Sequence, residues 1–132
     1  MNAPSEDVKD MLVADTSLGL VFTTNLFIGK EPSKPIDCAT IFDTPGFAPL
    51  LTFKQGENYY YPSVQIRVRN HDYMSGWDLI NNIKVSLHGR AQQTWNGTLY
   101  SLVACSIEPA LLDWDENSRA RFVTTFNIQR RQ

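Results

Sequence analysis

The stretch from Tyr61 to Gly89 constrains the fold more than any other part of the chain. It opens in strict alternation, Pro62-Ser63-Val64-Gln65-Ile66-Arg67-Val68-Arg69, and after Asn70-His71-Asp72 changes to a helical period that runs to Leu87. A period of two places Val64, Ile66 and Val68 on one face of a strand and Gln65, Arg67 and Arg69 on the other. One face is built for a core; the other is polar, guanidinium-rich and free to meet something. Asp72 is placed to cap the helix, and Tyr73, Trp77, Ile80, Ile83 and Leu87 follow one of its sides, with Gly76 leaving room for close packing. Gly89 stands where a left-handed C-cap would sit, and His88 lies in the last turn, where a cation is favoured.

The flanking segments complete an α+β pattern. Ser5 is a plausible N-cap for a short first helix, with Glu6 and Asp7 in its first turn and Val8, Met11 and Leu12 on a narrow apolar stripe. Strands are expected around Val21 to Gly29 and Ala39 to Asp43, separated by Pro32 and Pro35. Asn96-Gly97 calls for a type I′ hairpin turn. The strand leaving it, Leu99 to Ile107, is apolar on both faces, which suits a central position or an intersubunit face. A last strand carries Phe122, Phe126 and Ile128 toward the core. The expected order is α-β-β-β-α-β-β-β: one mixed, mostly antiparallel sheet with two helices on one face.

Between Thr44 and Tyr61 the chain is irregular, with Pro45-Gly46, Pro49 and Gly56, yet it holds Phe47, Leu50, Leu51, Phe53, Tyr59, Tyr60 and Tyr61. That is too apolar for a solvated loop. It reads either as a lid folding back on its own core or as an arm that docks on a neighbouring subunit, spanning about residues 44–61.

Composition narrows the function. The 132 residues suit one domain, which removes roughly two-thirds of its unfolded surface from water. A net charge of −2 and a pI near 5.6 argue against sequence-independent nucleic-acid binding, although a basic patch remains compatible with both. Met1–Asp7 has no basic start and no apolar run behind it, so neither secretion nor membrane insertion is expected, and folding in a reducing cytoplasm is. Cys38 and Cys105 lack the spacing of a zinc site or redox pair; they read as buried free thiols, with a single disulfide as the alternative.

No constellation for catalysis stands out. Asp113-Trp114-Asp115-Glu116-Asn117 starts like a calcium loop, but Ser118 replaces the turn glycine and Thr124 the bidentate carboxylate, so it reads as a polar turn. His71 and His88 have no Cys or second His at ligand spacing. Pairing Ser63 or Ser75 with His71 finds no glycine elbow or oxyanion-hole motif. No cofactor, metal, small-molecule substrate or enzymatic activity is expected. Arg67 and Arg69 have the best claim to a role, either as a solvated sheet face or in pairing with a neighbouring subunit's carboxylates.

Several blocks, in order along nearly the whole chain, resemble a bacteriophage family of minor capsid or tail terminator proteins. They are Asn25-Leu26-Phe27-Ile28-Gly29-Lys30; Cys38-Ala39-Thr40-Ile41-Phe42-Asp43-Thr44-Pro45-Gly46; Tyr61-Pro62-Ser63-Val64-Gln65-Ile66-Arg67-Val68-Arg69 with Asp72-Tyr73 and Leu87-His88-Gly89; Asn96-Gly97-Thr98-Leu99-Tyr100; and Asp115-Glu116-Asn117-Ser118-Arg119. Ser118 departs from the glycine that similar chains often place there. The resemblance implies a virion protein, assembled in the host bacterial cytoplasm, that forms a ring, a hexamer, on the head-proximal end of the tail tube. It would stop tube polymerisation and join head to tail. Its partners would be itself, the tail-tube protein and a head-completion or connector protein. Arg67 and Arg69 on the sheet face, and Phe47, Leu50, Leu51, Phe53, Tyr59 and Tyr60 in the arm, are the candidate interface residues. The alternatives are a head-closure or connector subunit and a small nucleic-acid-binding module.

Overall fold

The computed structural model describes residues 1–49 and 59–132. The elements are α1 (Pro4–Ala14), a 3₁₀ turn (Thr16–Leu18), β1 (Leu26–Ile28), β2 (Cys38–Phe47), β3 (Tyr61–Asn70), α2 (Tyr73–Leu87), β4 (Arg90–Trp95), β5 (Thr98–Trp114) and β6 (Ala120–Arg131). They build an α+β fold around a six-stranded mixed sheet of order β1-β2-β3-β6-β5-β4. β1 runs parallel to β2, and the other neighbouring strands pair antiparallel.

The alternation of β3 is realised where it matters most. Val64, Ile66 and Val68 are fully buried and stand opposite Phe126, Thr124 and Phe122 of β6. Val8, Met11 and Leu12 of α1 and Ile80, Ile83 and Leu87 of α2 enter the same core, so both helices cover this face of the sheet. Asp72 caps α2, its carboxylate accepting from the Ser75 N–H at 3.2 Å. Gly76 lets the helix touch the sheet, since a Cβ there would stand 2.7 Å from the Phe122 ring. Asn96 and Gly97 both adopt positive φ, 51° and 79°, as a type I′ turn requires.

Four expectations need correction. Ser5 is not an N-cap: α1 starts at Pro4, and Ser5 is buried with its N–H and Oγ bonded to Asp43 at 3.0 and 2.6 Å. The strand expected from Val21 to Gly29 shrinks to Leu26–Ile28 because the Asn25 carboxamide accepts from the Val21 N–H at 2.7 Å and folds Val21–Asn25 into a turn. Thr44–Phe47 belongs to β2 rather than to an irregular arm, the register with β3 shifting between Thr44 and Phe47. Gly46 permits that shift, as a Cβ there would lie 1.9 Å from the Tyr61 carbonyl oxygen. Finally, β5 runs on past Ile107 to Trp114, interrupted by bulges that hide its period of two.

One polar cluster sits inside the core. Asp7, fully buried, accepts hydrogen bonds from the Tyr100 hydroxyl and, at 2.7 Å, from the Asn96 amide. Arg130 Nη1 lies 3.8 Å from the same carboxylate and donates to the Tyr100 hydroxyl and to the Asn2 carbonyl, at 3.2 and 2.9 Å. Burial, followed by the hydrogen bond to Asp7, drives the Tyr100 hydroxyl far above its ordinary pKa. The cluster ties α1 to the β4–β5 turn and to β6. Removing the carboxylate leaves a buried cation without its counter-charge, a change that costs about 3–5 kcal/mol. Asp7→Ala is therefore expected to lower unfolding free energy by that much in urea denaturation, and Tyr100→Phe by about 1–2 kcal/mol.

Candidate assembly surfaces

The face of the sheet opposite the helices follows from the registers: Phe42, Gln65, Arg67, Val123, Thr125, Ala104, Leu102 and Ile107 share it. Arg67 lies half-buried on this face. Its guanidinium stacks 5.0 Å from the Phe42 ring centre, and its Nε donates to the Gln65 amide oxygen at 2.9 Å. Stacking and one hydrogen bond leave donors of this planar cation for another carboxylate or carbonyl.

Arg69, expected beside it on the open face, is only 4% exposed. Its Nε donates to the Ile36 carbonyl at 3.0 Å, Nη1 to Glu31 at 2.8 Å, and Nη2 to the Pro32 and Pro35 carbonyls at 2.6 and 2.8 Å. Alternation correctly gives its face. What it cannot give is the loop between β1 and β2, which folds over this end of the face and uses Arg69 as its organising centre. Within the subunit Arg69 is an internal anchor, with its donors engaged by its own chain.

The charges continue along the same end. Glu31 also approaches Arg121 at 3.6 Å, and Arg121 grips Asp113 with two bonds of 2.6 and 2.5 Å. That hydrogen bonding holds the Asp113 carboxyl below its ordinary pKa and raises Arg121. Asp115 closes the β5–β6 turn, accepting from the Asn117 and Arg119 N–H groups at 2.9 and 2.8 Å, while Ser118 takes the left-handed φ of 59°. Both carboxylates that suggested a calcium loop are thus occupied by arginines and backbone. Among the described residues no His, Cys, Asp and Glu cluster is arranged to hold a metal ion. Cys38 is buried and Cys105 half-buried, and both are free thiols.

At the other end of the sheet Phe47 is 75% exposed. It pairs with Tyr61, so the chain leaves and re-enters the sheet at adjacent points. Tyr60 bridges Arg130 through reciprocal backbone bonds of 2.8 and 3.0 Å, and Tyr59 lies under the Arg131 guanidinium at 5.7 Å. A cleft of about 390 Å³ opens between Phe47, Pro49, Tyr60 and Tyr61. Leu50, Leu51 and Phe53, the remaining arm candidates, lie outside the described residues. Sequence reading missed the exposed run Leu111, Leu112 and Trp114, whose Trp114 stacks on Tyr73 of α2 at 6.0 Å. Its signal was four large apolar residues within eight positions, counting Ile107, next to a turn read as polar.

A family model described as bacteriophage tail terminator protein matches residues 8–132. The chain belongs to that family. A structural role in the phage tail follows for this tail terminator chain. Among solved structures it is similar to a chain of the virion of a native gene transfer agent particle, with a TM-score of 0.68 at 12% identity, covering 97% of this chain and 94% of that one. At such identity the likeness is one of fold. No protein of curated function matches the sequence.

Two outcomes are expected from these contacts. Arg69→Ala should lower stability by about 3–5 kcal/mol, because it removes the closer of Glu31's two ion pairs and leaves three carbonyls without their donor, whereas Arg67→Ala should change it by about 1 kcal/mol or less. Chemical denaturation separates the two. The second concerns His71, whose Nδ1 lies 2.9 Å from Asp37. The hydrogen bond and charge of Asp37 raise His71 above its ordinary value of 6.5; burial pushes Asp37 up, but its bonds from His71 outweigh this and hold it below 3.8. The histidine's contribution is complete below 6.5 and is lost as pH rises through its raised pKa. The aspartate's is complete above 3.8 and is lost as pH falls through its lowered one. The tie is strongest between the two. NMR titration should place the His71 midpoint above 6.5, and Asp37→Asn should bring it down.

Proposed function

We propose that the chain forms a closed ring on the head-proximal end of the tail tube, stops tube polymerisation and offers the surface to which the head is joined. The observation that carries this reading is the family match over residues 8–132. The surfaces are compatible with it. A ring needs two unlike patches on each subunit, joined head to tail by a rotation that closes. The stacked Arg67 on the open sheet face and the exposed Phe47 end of β2 are two candidates that lie apart on one rigid sheet. Tyr60, which lines the same cleft, and its neighbour Tyr59 belong with Phe47 in the proposed contact, and Leu50, Leu51 and Phe53 are proposed to extend it. Assembly takes place in the host bacterial cytoplasm, the ring is a hexamer, and the protein acts by binding alone.

A nucleic-acid-binding role loses its basis at the sheet face. Of the two arginines that suggested it, Arg69 is consumed inside the subunit, and nearby Arg121 is neutralised by Asp113. The decisive assay mixes the protein with polymerising tail-tube subunits. Tubes should stop at a defined length and carry a ring at one end in electron micrographs. Undisturbed tube growth, with binding to portal complexes instead, would select the head-closure or connector role.

A further inference from the structure

The Asn96-Gly97 turn carries a chemical liability that its own hydrogen bonds hold in check. Asparagine before glycine is open to attack by the next backbone nitrogen, because glycine offers no side chain to shield it. The pair occurs once in the chain, and both residues are exposed at the tip of the β4–β5 hairpin. The Asn96 carboxamide does not hang free there. Its Nδ2 donates to Asp7 Oδ1 at 2.7 Å and to Asp10 Oδ2 at 2.8 Å, so both N–H bonds of the amide are engaged by carboxylates of α1. Asparagine and aspartate both suit a type I′ turn, so turn chemistry does not choose between them. The two carboxylates do. An amide nitrogen fits between them, whereas an oxygen anion in its place would meet two like charges at hydrogen-bond distance. The cations beside them are already matched: Lys9 lies 3.0 Å from Asp10, and Arg130 lies 3.8 Å from the fully buried Asp7.

We propose that Asn96 is a site of hydrolytic deamidation, closed while α1 holds its amide and incompatible with that contact once the reaction has run. The deprotonated Gly97 nitrogen attacks Asn96 Cγ. A C–N bond forms, the Cγ–Nδ2 bond breaks, and the side-chain nitrogen leaves as ammonia, taking a proton from water. Water then opens the five-membered imide at either carbonyl, giving aspartate or isoaspartate. Two features of the folded site oppose the first step. Ring closure carries Cγ over the Gly97 nitrogen and so draws Nδ2 away from its two acceptors. The departing nitrogen also needs a proton, and a carboxylate accepts but does not donate. The reaction therefore runs through openings of the hairpin from α1, at a rate set by how often these occur. Both products oppose reclosure. Aspartate sets a third carboxylate against Asp7 and Asp10, and isoaspartate adds a main-chain carbon to a two-residue turn.

Two measurements test this. In the first, wild type is kept at mildly alkaline pH, folded and in urea, and residue 96 is followed by peptide mass mapping for imide, aspartate and isoaspartate. Conversion should be about tenfold or more faster in urea. Asp10→Ala, with an unchanged circular dichroism spectrum, should speed it in the folded protein. Equal rates in the two states, or no change in Asp10→Ala, overturn the protection. The second compares Asn96→Asp with Asn96→Gly, which keeps the turn and removes the amide without adding charge. The folding equilibrium constant of Asn96→Asp should be about tenfold or more below that of Asn96→Gly, and adding Asp10→Asn should recover much of the difference. Equal stability of the two variants overturns the incompatibility. Should Asn96→Asp not fold, failure of Asp10→Asn to restore folding does the same.

Discussion

The insertion of β6 between β3 and β5 is the interaction on which the rest of the molecule depends. The last strand of the chain lies near the middle of the sheet, and its Phe122, Thr124, Phe126 and Ile128 are buried between the helices and their neighbours. Without it, β1–β2–β3 and β4–β5 are two small sheets with no ladder joining them. Neither alone has a face wide enough to seat α2, which packs across β3, β6 and β5 together. Such distant pairings are slow to form because the intervening chain must be ordered first. The fold is therefore cooperative in a specific sense: its two halves gain their stability from a strand that follows both of them in the chain.

That architecture explains which parts were legible in the sequence. β3 and α2 have clean periods, and each owes its buried side to local spacing, so Val64, Ile66, Val68, Ile80, Ile83 and Leu87 all fall where the pattern put them. Asp72 and Asn96-Gly97 were readable because caps and tight turns are short-range chemistry. Ser5 was misread for a complementary reason. Its side chain suits a cap, but an Asp43 carboxylate 38 positions away competes for it. The outer half of β5 was hidden by bulges, since each extra residue reverses the alternation on which strand recognition rests.

The arginines make the same point about the candidate site. Periodicity assigned Arg67 and Arg69 to one face, and both are there. Their roles diverge because a face is a direction and not an environment. The loop between β1 and β2 brings three carbonyls and Glu31 around one guanidinium and leaves the other stacked on Phe42. The carbonyls belong to Pro32, Pro35 and Ile36, within a loop that bends back over the guanidinium. Sequence spacing alone carries no trace of a contact made across more than 30 positions. A buried arginine of this kind also shows how a surface can be made less basic than composition suggests.

The Arg130 contact with the Asn2 carbonyl has a separate consequence. It draws Asn2 and Arg130 to one corner of the sheet, beside the start of α1. A reporter or linker placed beside either residue is delivered to the same spot. In a multi-copy assembly those spots would form one row. Residues inserted beside Asn2 and residues inserted beside Arg130 would therefore crowd the same part of the assembly.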